Sequence, residues 1–149
     1  MNNSIKEQFD LIADYCKKLE DAAYDSYKLY SPVSNEDIEA WEKEQQITLP
    51  VSLKEWYQLS NGFDMGCTVD ILPLTTICKC PFDDIEELEE VFIVGHYIGD
   101  GSMLVIDRTG SFYEYDHGYC KLYPIPFEKF VQKWIIENLE ENMADAGLL

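Results

Sequence analysis

The chain has 149 residues, 46% of them hydrophobic and 13% aromatic, which is enough to close one core and too much for a disordered chain. No run of about 18 apolar residues occurs, so no membrane span is expected. Residues 1–10 lack the apolar stretch of a secretory signal, which makes the cytoplasm the expected compartment. Acidic residues number 29 against 11 basic ones, a formal net charge of −18 that repels nucleic acid and anionic lipid and attracts a basic protein.

Ser4-Ile5-Lys6-Glu7 fits a capping box, and Ile5, Phe9, Ile12, Cys16, Leu19 and Ala23 then recur at three- and four-residue steps. This predicts an amphipathic helix in a segment that Pro32 closes. A second helix is expected from Ser34 or Asn35, with Ile38, Trp41 and Gln45 on one face. Pro50 suits the first turn of a third helix, whose Leu53, Trp56 and Tyr57 share a face, and Gly62 is placed to stop it in a left-handed conformation. Cys67, Val69 and Ile71 alternate with Thr68 and Asp70 as a half-buried strand that Pro73 ends.

Residues 83–90, DDIEELEE, place six acids around Ile85 and Leu88, a helical turn with a narrow apolar stripe. The runs 91–94 and 103–106 are continuously apolar, as strands buried on both faces are. Asp107-Arg108-Thr109-Gly110 and Asp116-His117-Gly118 carry turn chemistry, and strands at 112–115 and 121–123 follow them. Spacings this short force antiparallel pairing, so a meander is expected. Pro126 opens a last helix with an apolar stripe of Phe127, Phe130, Val131, Trp134, Ile135 and Leu139, and the residues from about Asn142 are expected to fray. The whole reads as one α+β domain over residues 1–149, with N-terminal helices and a C-terminal helix packed on a mainly antiparallel sheet.

Two stretches carry a family resemblance. Asn35 to Glu42 leads through Ile47, Leu49 and Pro50 into Leu53-Lys54-Glu55-Trp56-Tyr57 and Ser60-Asn61-Gly62, which resembles the first signature of the SUKH superfamily. Ile98-Gly99-Asp100-Gly101, Leu104 to Asp107, Gly110 and Tyr113 to His117 are similar to the sheet segment of that superfamily. The match covers residues 35–135 in order. It leaves out the first helix, the Cys78-Lys79-Cys80 region and the acidic 83–90 segment. The resemblance implies a single α+β domain without enzymatic activity, from a group that joins fungal cell-wall assembly regulators to bacterial immunity proteins. The bacterial members neutralise polymorphic toxins, many of them nucleases, by binding them directly, and a chain of this length fits that type. No catalytic residues carry over.

Other chemistry fits the residues less well. Cys78-x-Cys80 with Asp116, His117 and Cys120 departs from the paired spacing of a structural zinc site, and the odd count of five cysteines reads as reduced thiols. His96 and His117 lack a local nucleophile signature beside any cysteine. Gly99-Asp100-Gly101 precedes a strand rather than a helix and carries an acid, so it is no phosphate loop. No metal or other cofactor is expected. The expected partner is a basic toxin domain, and Asp64, Asp83, Asp84, Glu86, Glu87, Glu89, Glu90 and Asp100 are the residues expected to meet it, with exposed tyrosines adding contact area. A regulatory interaction module without a toxin partner is the alternative.

Overall fold

Ser4 caps the first helix as its sequence dictates, its Oγ accepting from the Glu7 N–H at 3.1 Å. The fold is that of a computed structural model, and the residues described are 4–24, 27–66, 68–80 and 90–149. Helix α1 (Ile5–Asp21) buries Ile5, Ile12, Cys16 and Leu19. It stops a turn short of the expected stripe: Ala23 takes φ 55° and the Tyr24 N–H returns to the Leu19 carbonyl at 3.0 Å, a left-handed closure that leaves Ala23 exposed. Helix α2 (Asn35–Gln45) is capped by Ser34, whose Oγ accepts from the Asp37 N–H, and buries Ile38 and Trp41. Helix α3 (Val51–Tyr57) follows Pro50 and buries Leu53, Trp56 and Tyr57.

Among the described residues eight short strands make one sheet: β1 (Lys28–Leu29), β2 (Phe63–Asp64), β3 (Asp70–Ile71), β4 (Cys78–Lys79), β5 (Phe92–His96), β6 (Met103–Ile106), β7 (Phe112–Asp116) and β8 (Lys121–Pro124). Every pairing is antiparallel, and the spatial order is β1-β2-β3-β5-β6-β7-β8. β3 and β4 share one edge of β5, β3 beside Gly95 and His96 and β4 beside Phe92 and Ile93. Between them the chain leaves the edge at Pro73 and makes a 3-10 turn, Leu74–Thr76. The β5–β8 meander matches expectation. The strand expected over 67–71 shrinks to Asp70–Ile71, with Cys67 outside the described residues, and the helical turn expected at 83–90 lies outside them but for Glu90.

All of β6 and most of β5 are buried on both faces, as the continuous apolar runs required. Phe92, Val94, Leu104 and Ile106 face the helices, whereas Ile93, Met103 and Val105 join Cys80, Tyr115 and Leu122 in a smaller cluster on the opposite face. A β-bulge between Ile93 and Gly95 lets β3 approach closely: a Cβ on Gly95 would stand 2.3 Å from the Asp70 carbonyl oxygen.

The C-terminal helix is built of three consecutive segments, α-helical Phe127–Phe130, π-helical Val131–Ile136 and α-helical Glu137–Asp145. It packs against α1, where the Gln8 side-chain amide donates to the Glu128 carbonyl at 2.9 Å and the Tyr15 hydroxyl to the Glu140 carboxylate at 3.0 Å. The fraying expected from Asn142 does not occur. Met143 is buried in the core and the Asn142 amide donates to the Tyr27 hydroxyl at 2.9 Å, so the helix holds to Asp145.

Trp56 lies at the junction of these layers. It is fully buried, its Nε1–H donates to the Gly62 carbonyl at 3.3 Å, and the rings of Phe9, Phe63 and Phe127 meet it edge-on. Gly62 adopts the expected positive φ, 109°, but not to stop α3, which has already ended at Tyr57. Its conformation brings the backbone against β3, where a Cβ would meet the Ile71 carbonyl oxygen at 2.6 Å. Replacing Trp56 by alanine is therefore expected to lower the unfolding free energy by about 3–5 kcal/mol in urea denaturation, whereas exposed Val51→Ala should change it by no more than about 0.5 kcal/mol.

Candidate functional site

Lys133 and Trp134 lie on a π-helical turn of the C-terminal helix. A π segment inserts a wider turn and re-aims the residues that follow, and such segments recur at functional sites. Here the Glu137 N–H bonds the Gln132 carbonyl five residues back, and the Asn138 side-chain amide donates to the Trp134 carbonyl at 2.6 Å. Trp134, expected in the core stripe, is only partly buried and packs on Tyr97 with ring centroids 4.8 Å apart. Tyr97 is itself fixed from beneath by Phe130, and its hydroxyl donates to the Tyr115 carbonyl at 3.0 Å.

Tyr97, Ile98 and Trp134 are common to two open grooves. One, of about 560 Å³, runs past Tyr27, Met65 and Asn138. The other, of about 490 Å³, lies over Glu114, Asp116, Tyr123 and Lys133. Ile98 and Tyr123 are 45% and 46% exposed, so this surface offers apolar area to a partner as well as charge.

The second groove carries a carboxylate on the core-facing side of a strand. Glu114 is nearly buried, its Oε1 accepts from Trp134 Nε1–H at 3.3 Å, and its Oε2 lies 3.9 Å from Lys133 Nζ. Lys133 Nζ also stands 4.6 Å from the centroid of the Trp134 ring. Burial first, and then the Glu114 carboxylate with those of Asp116 and Asp100, pushes the Tyr97 phenol up, against a lowering hydrogen bond with Ser102. The groove is thus acidic in field though it contains a lysine.

The expected partner-binding acids fall in several places. Asp100 lies in the β5–β6 loop two residues beyond Ile98, where hydrogen bonds from Ser102 hold its carboxyl below the usual range. Asp64 accepts from the Gly66 N–H at 2.6 Å at the rim of the first groove. Glu90 already has intramolecular partners: it pairs with Arg108 at 2.7 Å and lies 4.0 Å from Lys79, while Arg108 also donates to the last carbonyls of α2 at Gln45 and Gln46. Asp83, Asp84, Glu86, Glu87 and Glu89 lie outside the described residues.

Sequence reasoning missed Tyr97, Glu114, Lys133 and Trp134 as site residues. The available signal was Glu114, which shares a strand face with Phe112 and so sets an acid among core positions.

Cys120 lies beside His117, its Sγ donating to the His117 carbonyl at 3.6 Å, but Cys78 does not join them. Cys78 lies on β4 and Cys120 in the β7–β8 turn, with β5, β6 and β7 between them, a span of roughly 19 Å at ordinary strand spacing. Cys16, Cys78, Cys80 and Cys120 stand as thiols, and burial pushes that of Cys16 up to about 12. Among the described residues no group of three histidine, cysteine or acidic side chains is placed to hold a metal ion, and no helix is long and apolar enough to cross a membrane.

Helices packed on an antiparallel sheet make this an α+β fold. The family model described as SMI1 / KNR4 family (SUKH-1) matches residues 32–133, more than half of the chain, and the chain belongs to that family. The family includes immunity proteins and related regulators and is generally non-enzymatic. No curated protein and no solved structure matches the sequence.

A charged row crosses the sheet beside the grooves, with Lys28, Asp64, Asp70 and His96 successive register partners on β1, β2, β3 and β5. His96 Nδ1 lies 2.8 Å from Asp70 Oδ1, and that hydrogen bond, opposed by burial and aided by the charge, raises the imidazole pKa above 6.5. A histidine raised on folding stabilises fully below its unfolded pKa of about 6.5, and the contribution is lost as pH rises through the raised folded value. Urea midpoints followed from pH 5.5 to 8.5 should therefore carry a component that declines over that upper window, and Asp70→Asn should remove it.

Proposed function

We propose that the protein is a non-enzymatic, cytoplasmic immunity protein that binds a cognate toxin domain one-to-one and blocks its working surface. Family membership over residues 32–133 is the observation that carries the reading. The geometry supports it: an open surface with exposed Ile98 and Tyr123 lies beside the acids Asp64, Asp100 and Asp116. An interface of this kind combines apolar anchors with a charged rim. The net charge of −18 favours a basic partner, as a nuclease with a phosphate-binding groove would be. The acids Asp83, Asp84, Glu86, Glu87, Glu89 and Glu90 are proposed for the same interface as Asp64 and Asp100 on their charge alone.

Binding of this kind needs no reacting group in the chain. The toxin loses activity because its substrate groove is covered, and the long-range field shortens the search for it. Co-expression with the toxin domain encoded beside this gene is expected to restore growth and yield a stoichiometric complex. Its association rate should fall by about tenfold or more as salt rises from low to physiological strength and beyond. Absence of both rescue and complex would contradict the reading and favour a regulatory module without a toxin.

A further inference from the structure

We infer that the groove over Glu114 and Trp134 is a receptor for an arginine side chain of a protein partner, and that Lys133 occupies it in the unbound chain. The immunity reading supplies only the identity of that partner; the chemistry of the groove stands apart from it. The starting observation is a cation already in place. Lys133 Nζ lies over the Trp134 ring at 4.6 Å and 3.9 Å from Glu114 Oε2, yet its side chain is 56% exposed. The Glu114 side chain is only 12% exposed, and its other oxygen is held by the Trp134 indole N–H at 3.3 Å. A desolvated carboxylate and an aromatic face therefore meet in one groove, served by a lysine that reaches both at long range.

A guanidinium satisfies that arrangement better than an ammonium. Its flat face stacks on the indole while its fork of N–H groups reaches the carboxylate, which a point-like ammonium cannot do at once. Asp116 lines the same groove and supplies a second acceptor, and exposed Ile98 and Tyr123 flank the entrance, where the methylenes of an arginine would lie. Lys133 and Trp134 both lie within the π-helical turn. Lys133 keeps the Glu114 charge compensated until a partner arrives and sets a threshold that weakly bound cations do not pass.

The test uses N-acetyl-arginine methylamide and its neutral citrulline counterpart, titrated into the full chain and followed by the tryptophan indole N–H signals in nuclear magnetic resonance. The arginine compound should shift the Trp134 signal saturably, and the citrulline compound should bind at least about tenfold more weakly. Lys133→Met should tighten arginine binding by about fivefold, because it removes a competing like charge. Glu114→Gln, which keeps an acceptor for Trp134, should abolish saturation.

Equal binding of the two compounds would overturn the proposal. So would Lys133→Met with unchanged affinity, or shifts spread over the acidic surface with Trp134 unmoved. If Glu114→Gln fails to fold, the citrulline comparison and Lys133→Met still decide. A toxin complex whose affinity is unchanged by Lys133→Met and Glu114→Gln overturns the groove as an interface and leaves the immunity reading standing. Saturable binding at Trp134 in a chain that rescues no toxin does the reverse.

Discussion

The hydrogen bond from the Trp56 indole to the Gly62 carbonyl holds the two halves of this fold in one arrangement. The bond is buried, so the indole N–H would be left unsatisfied without it. The same carbonyl takes the Ser60 hydroxyl at 2.6 Å, and Ser60 Oγ accepts from the Tyr30 N–H. Asn61 completes the junction, with its N–H on the Ser31 carbonyl and its side-chain oxygen on the Leu74 N–H. Two chain segments distant in sequence, at Tyr30–Ser31 and at Leu74, are thereby tied to the end of α3. β1, β2 and β3, each only two residues long, pair with one another next to that junction.

The sheet this junction anchors is buried on both faces at β5 and β6, which makes it a rigid floor. The C-terminal helix crosses one face and departs from α-helical geometry where it meets Tyr97. The Trp134 indole of that π-helical turn stands between two grooves, with Glu114 beneath it. The candidate surface thus pairs a local irregularity with a regular core, an arrangement expected of binding surfaces on stable scaffolds.

Helix caps and the meander were legible because their signals are local. Ser4 and Ser34 precede the helices they cap, and the apolar runs at 91–94 and 103–106 announce strands buried on both sides. The family was legible from the corner of α3 and the sheet motif. β1, β2 and β4 were not, because a two-residue strand exists only through its partner and has no period of its own. Gly62 showed its positive φ in sequence but not its purpose, since the Ile71 carbonyl that it meets is defined only by folding. Trp134 fitted a helical stripe counted at 100° per residue, and the π-helical turn breaks that count. Charge alone could not separate Glu90, held by Arg108, from Asp100 on an exposed loop.

In the proposed reading the acidic field meets a basic surface, charge governs how fast the two find each other, and the buried pair of Glu114 and Trp134 governs which side chain fits. Amide hydrogen exchange of the chain with and without its bound partner tests this division most directly. New protection concentrated at Ile98, Asp100, Ser102, Asp116, Tyr123 and the helix around Lys133 is the predicted result. Protection confined to α1 and α2, with the groove exchanging as in the unbound chain, would contradict the account.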